Sequence, residues 1–196
     1  LDNDFATQRN FGLSLAKGDW ILFVDADEIV TPELAKEIQS TLKATPGIKN
    51  INGFYIRRID YFLGTWLNHG ENGNIKLLRL GRMDKGQWEG KVHEVWKIAG
   101  ETRVLQNVLL HYSHDSVNDV TQKMSFYSTI RARELFSQGV KSSTWQIVLY
   151  PIGKFLQNYF LKLGVHDGIP GLIMAIEMSF HSYLVRSKLY LLNRDK

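Results

Sequence analysis

The sequence predicts an α/β fold in which a mixed sheet is flanked by helices and followed by a C-terminal amphipathic helical segment. Three observations support this prediction. An unbroken apolar run, 20–24, lies between two helical patterns, several short β-rich runs follow, and the chain from Trp145 onward is aromatic and aliphatic. A length of 196 residues fits one compact domain, or one domain with an added helical segment.

The first two predicted elements are a helix and a strand. Asp4 is placed to cap a helix that runs from Phe5 to Lys17, and Gly18 is placed to end it. The run 20–24 is then apolar at every position. Such a run is typical of a strand that is buried on both faces of a parallel sheet.

A second helix is predicted to begin at Thr31 and Pro32, which suit the N-cap and the first helical position. Apolar residues at spacings of four give this helix a buried stripe: Leu34, Ile38 and Leu42. Pro46 and Gly47 are expected to stop it.

Short β-rich runs separated by Gly and Asn come next, and we predict strands there. These runs are 53–60, 75–80, 91–96 and 104–112. Ser116 and Asp119 then predict the start of another helix.

The C-terminal segment carries the whole excess of positive charge. Residues 1–140 hold 17 Lys/Arg and 17 Asp/Glu, whereas residues 141–196 hold 7 Lys/Arg and 3 Asp/Glu. No stretch of 18 residues there is free of charge, so a helix lying in a membrane interface is favoured over a spanning helix. Simple packing of these helices on the core is the alternative. Nucleic acid is not expected as a partner, because the basic residues follow a lipophilic tail.

The chain contains no cysteine, which excludes disulfide frameworks, thiolate zinc sites and cysteine nucleophiles. Its start is acidic and polar, unlike a signal peptide, and lacks an initiator Met. We therefore expect an N-terminal truncation.

A carboxylate cluster, 25–28, directly follows the apolar run 20–24. Ligand sites in α/β sheets form at the carboxyl ends of strands. Asp25 and Asp27 can meet at a turn, where a hard divalent cation offsets their repulsion and bridges diphosphate oxygens. The alternative is an acidic turn that caps the next helix, a role open to Glu28 or Glu33.

Several ordered segments resemble inverting family 2 glycosyltransferases of the GT-A fold. The strongest are 4–12, with the sequence Asp-Phe-Ala-Thr-Gln-Arg-Asn-Phe-Gly, and 16–28, which ends in Asp-Ala-Asp-Glu. Further matching segments follow in order: 79–80, 88–94, 111–113, 159–164 and 167–168. Together they look like the bacterial subgroup that includes lipopolysaccharide core glucosyltransferases.

The resemblance implies a GT-A-like, partial Rossmann-like architecture. Residues 1–115 would be the C-terminal part of the catalytic domain, with its metal and acceptor side, and residues 116–196 a membrane-associated helical segment. The reaction would move a sugar from a nucleotide-diphosphate donor, a UDP-hexose, to a glycolipid or saccharide hydroxyl with inversion. The place would be the cytoplasmic side of the bacterial inner membrane.

The resemblance also implies roles for single residues. Asp25 and Asp27 would match the Asp-X-Asp motif that holds Mg²⁺ or Mn²⁺, with Asp27 the firmer ligand. Arg9 and Asn10 would lie against the nucleotide-sugar pocket, where Asp25 also belongs. Glu94 would be the general base for the acceptor hydroxyl.

Other candidate residues keep two interpretations each. His93 either orients the base or the acceptor, or is part of an ordinary strand end together with Glu94. His111 either completes the metal site or is a buried, hydrogen-bonded histidine. Arg79 or Arg82 either pairs with diphosphate oxygens or is a solvated strand-edge arginine.

Two tryptophans, Trp66 and Trp88, are candidates for a stacking floor beneath an acceptor sugar. Packing in the core is the commoner role of tryptophan and stays open for both.

Two other functions compete with glycosyl transfer. A hydrophobic strand followed by Asp-X-Asp also begins haloacid-dehalogenase-type phosphatases, although Glu28 stands where those motifs usually have Thr or Val. A non-catalytic, membrane-peripheral module with a degenerate transferase fold is the second.

The resembled family also normally begins with a βαβ half that binds uracil and ribose, for which the chain has no counterpart. We therefore expect this chain alone to bind nucleotide sugar poorly.

Overall fold

The computed structural model describes residues 4–90, 94–114 and 116–194. The chain divides into two compact units. The first comprises Leu1–Ile59 and Ile75–His111, and the second comprises Asp60–Asn74 and Tyr112–Lys196.

The first unit begins with four elements: α1 (Phe5–Leu15), β1 (Trp20–Leu22), β2 (Glu28–Val30) and α2 (Pro32–Lys43). Both helices begin where the sequence predicts. The Asp4 carboxylate accepts a hydrogen bond from the Thr7 backbone N–H at 3.0 Å, and the Thr31 hydroxyl accepts one from Leu34 at 3.1 Å. Capping of this kind satisfies backbone donors that the first helical turn leaves without partners.

Six more strands follow: β3 (Ile51–Phe62), β4 (Thr65–Leu67), β5 (Ile75–Arg82), β6 (Gly86–Glu89), β7 (Val95–Ile98) and β8 (Glu101–His114). Each of the four β-rich runs of the sequence therefore overlaps a strand, although residues 91–93 of the third run lie outside the described residues. The sequence analysis missed β2, β4 and β6, which are only three or four residues long.

The main sheet has the strand order β1-β5-β3-β8-β2, with β4 paired to β3, while β6 and β7 form a separate pair. The α/β prediction of a sheet with flanking helices is confirmed. The expectation of a parallel interior strand at 20–24 is wrong, because β1 pairs antiparallel with β5 and stands at one end of the strand order.

The apolar run around β1 nevertheless has a clear physical reason. Trp20 and Leu22 pack on one hydrophobic cluster, whereas Ile21 and Phe23 pack on another. Alternate residues of a strand point to opposite faces of a sheet. Both faces of β1 are thus covered by apolar side chains, and the polar alternation of a half-exposed strand is absent.

The two clusters form the core of the first unit. The larger is built from buried side chains of α2, a 3₁₀ turn (Thr45–Ile48), β3, β5 and β8: Leu34, Ile48, Ile51, Phe54, Ile56, Leu80, Leu105 and Leu109. The smaller joins α1 to β5, β6 and β7: Ala6, Leu13, Leu78, Trp88 and Trp96. The predicted stripe of α2 is confirmed, because Leu34 is buried and Ile38 and Leu42 pack against the larger cluster.

The second unit is mainly helical. It contains α3 (Val117–Ser137), α4 (Thr144–Leu156), a π-helical turn (Gln157–Leu161), a 3₁₀ turn (Gly164–Asp167) and α5 (Gly168–Arg194). One face of α5 packs on α3, where Ala132 and Leu135 meet Val185 and Leu189. The start of α3 at Ser116 is as predicted, because its side chain accepts from the Asp119 backbone at 3.2 Å.

Residues 60–74 belong to this second unit, which departs from a division of the chain at residue 115. The reason is packing. Phe62 and Leu67 are buried in one cluster with Val120, Met124 and Met174.

Polar contacts also hold 60–74 in the helical unit. The buried Asn158 amide accepts from the Glu71 backbone at 2.9 Å. Asp167 accepts from the backbone N–H of His69 at 2.8 Å, and the other Asp167 oxygen lies 2.7 Å from the His69 ring. At Gly171, a side chain would overlap the carbonyl oxygen of Gly164.

One helical stretch of the described residues, Gly164–Arg194, is long and apolar enough to cross a bilayer by length and composition. Its most apolar window has a mean hydropathy of 1.2 and is 28% buried within the protein. Core helices of soluble proteins have the same length and composition.

Candidate active site

A cluster of five charged side chains lies in the first unit, and two arginines hold it together. Arg9, from α1, donates to Asp25 at 2.8 Å and to Glu94 at 3.0 Å. Arg79, from β5, donates to Asp25 at 2.5 Å and to Glu28 at 2.9 Å. The cluster therefore connects α1, the turn after β1, and the segment before β7.

Asp25 is the centre of this cluster, since each of its carboxylate oxygens accepts from a different arginine. Burial raises the pKa of Asp25, but the charges and hydrogen bonds of Arg79 and Arg9 outweigh it and hold that pKa below its ordinary value. Asp25 is thus ionised and fixed in direction. Because both oxygens already have cationic partners, Asp25 is a weaker candidate metal ligand than Asp27.

Glu28 and Arg79 form a buried ion pair that the sequence analysis missed. The Glu28 side chain is fully buried and that of Arg79 is 6% exposed, so Arg79 is not a solvated strand-edge residue. Glu28 also accepts from the Asp25 backbone at 2.9 Å, which closes the turn 25–28.

Of the two glutamates that could act at the start of the second helix, Glu28 lies in β2, and Glu33 stands in the first turn of α2. The sequence did carry one sign of the buried pair between Glu28 and Arg79: Arg79 stands in an otherwise apolar run, 77–80. A charged residue among buried neighbours requires a partner.

Asp27 and His111 lie next to each other, as the metal-site prediction requires. Their side chains approach to 3.3 Å, with Asp27 half exposed and His111 mostly covered. The pairing of β2 with β8 explains this, because His111 stands opposite Glu28. No group of three or more possible ligands is assembled within the described ranges.

A carboxylate and an imidazole nevertheless fit Mg²⁺ or Mn²⁺ in a transferase. Such ions are often held by one or two protein ligands, with water and substrate phosphates completing the shell. Asp27 and His111 are the residues that would hold the ion here. Their metal-binding role stays a prediction.

Glu94, the predicted base, is 16% exposed and is positioned by Arg9. His93, its predicted companion, lies outside the described residues.

The amide of Asn10 holds β6 against α1. Asn10 donates to the Trp88 carbonyl and accepts from the Trp88 N–H, both at 2.9 Å. This pairing is structural, and the role of Asn10 in nucleotide binding stays a prediction.

The Trp88 ring lies in the core rather than on an open surface. It is 5% exposed, stacks on Trp96 at 5.6 Å, and meets Phe23 edge-on at 5.0 Å. The Arg9 guanidinium lies 4.6 Å from its centroid. One face of the Trp88 ring thus contacts the Arg9 guanidinium. This contact and the burial of the ring favour a packing role for Trp88 over stacking against an acceptor sugar.

Trp66 belongs to the second unit, where it is half-buried among aromatic rings. It lies 4.9 Å from Tyr61 and 5.3 Å from Tyr112, measured between centroids. Its predicted contact with an acceptor sugar is not tested by this geometry.

Comparison with known proteins decides the class of this site. Residues 2–93 match the model of the family described as glycosyl transferase family 2. Nearly half of the chain therefore resembles family 2 glycosyltransferases. The match covers α1, the Asp25–Asp27 turn, Arg79 and Trp88, and it ends one residue before Glu94.

Relatives match over nearly the whole chain. A lipopolysaccharide core biosynthesis glycosyltransferase, LpsC, of Rhizobium meliloti is 27% identical over 192 residues, covering 95% of this chain and 69% of its own length. Uncharacterized glycosyltransferases of Rickettsia typhi and Rickettsia conorii are 24% and 25% identical, covering 94% of this chain and 66% and 69% of their own lengths. The chain thus spans about two thirds of the length of these curated relatives.

The match to the family 2 model and the glycosyltransferase relatives confirm the predicted enzyme class, a glycosyltransferase. The phosphatase alternative is not retained, because the matching family model and the named relatives are glycosyltransferases.

Proposed function

We propose that this family 2 glycosyltransferase moves a hexose from a UDP-sugar to a hydroxyl of a glycolipid or lipopolysaccharide-type saccharide, with inversion at the anomeric carbon. The lipopolysaccharide assignment is supported by the likeness to LpsC. The site of action that we propose is the cytoplasmic side of the bacterial inner membrane, which the protein contacts through its C-terminal helices.

One observation carries the proposal: Arg9 contacts Asp25 and Glu94 at the same time, at 2.8 Å and 3.0 Å. Asp25 is the first aspartate of the Asp-X-Asp turn, on the donor side of the predicted site. Glu94 is the predicted base for the acceptor. A single guanidinium thus brings the two halves of a transfer reaction within a few ångströms.

The chemistry needs one base and no covalent intermediate. Glu94 accepts the proton of the acceptor hydroxyl, whose oxygen forms a bond to the anomeric carbon from the face opposite the diphosphate. The bond between that carbon and the diphosphate oxygen breaks, and the nucleoside diphosphate leaves with the bonding electrons.

Charge on the leaving diphosphate must be neutralised. Asp27 and His111 would hold Mg²⁺ or Mn²⁺, which when bound stabilises the negative charge of the diphosphate. Arg9 and Arg79 keep Asp25 ionised and fixed beside this position. Arg9 also fixes the direction of Glu94 through its Nε atom.

The test is a screen of the intact enzyme, with Mg²⁺ or Mn²⁺, against a panel of nucleotide sugars and membrane glycolipid acceptors. We expect acceptor-dependent release of UDP, and a glycolipid product with the opposite anomeric configuration to the donor. Glu94→Gln should abolish this release, whereas Glu89→Gln, an exposed glutamate of β6, should not. Turnover unchanged in both Glu94→Gln and Asp27→Asn would contradict the proposal.

A further inference from the structure

A groove of about 700 Å³ opens between α3, α4 and α5 in the second unit. Apolar side chains such as Leu149 and Leu161 line it, together with three cationic ones, Arg131, Lys154 and Arg186. None of its described lining residues is acidic. The groove thus combines apolar walls with positive charge.

The three cations differ in their partners. Arg131 pairs with Glu134 at 2.6 Å, and Lys154 pairs with Glu71 at 2.6 Å. Arg186 forms no ion pair with any carboxylate of the described residues, and its guanidinium instead lies 4.1 Å from the centroid of the Tyr150 ring. Stacking on an aromatic ring orients a guanidinium and leaves its N–H donors available for an anion.

The wall formed by α4 is apolar but unburied. No side chain of α4 is buried, although the helix is rich in large hydrophobic residues. Four of them are more than half exposed: Trp145 at 57%, Val148 at 56%, Leu149 at 55% and Ile152 at 52%. Trp145 and Leu149 line the groove, whereas Val148 and Ile152 lie on α4 outside its lining. A contiguous apolar surface of this kind marks a membrane or partner contact.

We propose that this groove binds one anionic phospholipid of the membrane. Its phosphate lies against Arg186, and an acyl chain lies along Leu149 and Leu161. A phospholipid supplies in one molecule the two chemistries that the groove offers, an anion and an apolar chain. The basic excess of residues 141–196, 7 Lys/Arg against 3 Asp/Glu, attracts the same anionic surface.

This inference rests on the proposed membrane contact and not on the proposed transfer reaction. Vesicle binding tests it without any turnover, so its failure is distinguishable from failure of the glycosyltransferase chemistry.

The experiment is flotation of the whole protein with phosphatidylcholine vesicles, with and without phosphatidylglycerol, at physiological salt. We expect tighter binding to the anionic vesicles and a loss of about fivefold in Arg186→Gln, the factor typical for one basic residue at such a surface. The matched control is Arg133→Gln, which removes the same charge from an exposed position of α3 outside the groove, and should weaken binding less.

A second pair of variants tests the apolar wall. Leu149→Gln should weaken vesicle binding, whereas Val104→Gln, which replaces an exposed aliphatic residue of β8 outside the groove, should not. A large excess of glycerol phosphate, which carries the anion without the chain, should not displace the vesicles.

Several results would overturn the proposal. They are equal losses in Arg186→Gln and Arg133→Gln, no dependence on phosphatidylglycerol, or displacement by glycerol phosphate. Circular dichroism checks the fold of each variant. If Arg186→Gln does not fold, Arg186→Lys decides: weaker binding than wild type supports the guanidinium contact, and unchanged binding opposes it.

Discussion

Arg9 and Glu94 lie 85 positions apart in the sequence, and their side chains are joined by a 3.0 Å hydrogen bond from Nε to a carboxylate oxygen. The same guanidinium donates through Nη2 to Asp25 at 2.8 Å. Its planar fork has several N–H groups in fixed directions, so it can serve two carboxylates at once. The position of the predicted base therefore depends on a residue of the first helix.

Replacing Arg9 by Lys keeps the charge but removes the fork. Lysine is a point donor, so we expect it to keep one of the two carboxylates and release the other. A displaced base lowers kcat by about 10²-fold, with less change in the KM of the acceptor. Steady-state kinetics measures this split. Arg103→Lys, in an exposed pair with Glu101, is the control, and a wild-type kcat in Arg9→Lys would show that the bridge is dispensable.

Replacing Asp27 by Asn should weaken the binding of Mn²⁺ by at least about tenfold, because the amide oxygen is a neutral ligand. His111→Gln should weaken it in the same direction. Titration calorimetry or the electron paramagnetic resonance signal of free Mn²⁺ measures the affinity. Asp84→Asn, an exposed aspartate paired with Lys85, should leave the affinity unchanged. Equal affinities in all three variants and wild type would place the metal elsewhere.

Replacing Glu28 by Gln should lower the free energy of unfolding by about 3 kcal/mol. The change leaves the guanidinium of Arg79 buried with one charged partner fewer, and such losses are costly. Breaking a buried ion pair typically costs about 3–5 kcal/mol. The remaining contact between Arg79 and Asp25 keeps the expected cost near the lower end of that range. Urea denaturation measures it, and Glu101→Gln on the surface should cost less than about 0.5 kcal/mol. Equal costs in the two variants would contradict a buried pair.

The lowered pKa of Asp25 predicts a dependence of stability on pH. Its folded pKa lies below its unfolded value, so its contribution is complete above the unfolded pKa and disappears as pH falls through the folded pKa. Wild type should therefore exceed Asp25→Asn in stability at pH 7, and the difference should shrink below about pH 4. Denaturation at a series of pH values checks this. A difference that stays constant down to pH 3 would mean that the arginines do not favour the ionised form.

The starts of the first three helices were predictable because their signals are local. Asp4, Thr31 and Ser116 each stand at the first residue before a helix and cap it within three residues. The missed strands β2, β4 and β6 are too short to show the alternation of apolar and polar residues that marks a strand in a sequence. Their pairing partners, rather than their own sequences, decide their structure.

The candidate site was predictable only in part. The resemblance to the family names Asp25, Asp27 and Glu94 as site residues, and the structure brings Asp25 and Glu94 to one arginine, Arg9. Glu28 was missed because its burial follows from the pairing of β2 with β8, which the sequence does not display. Trp88 was left between two roles, since ring burial depends on Trp96 and Phe23 in other elements.

Gly171 has a consequence that reaches beyond its own position. Because the chain at Gly164 runs directly against it, no larger residue fits there without pushing the start of α5 away from the preceding turn. That turn carries Asp167, which holds both the backbone and the ring of His69. Even the single methyl group of Gly171→Ala would therefore act at a distance, by loosening the anchor of a loop about a hundred residues earlier in the chain.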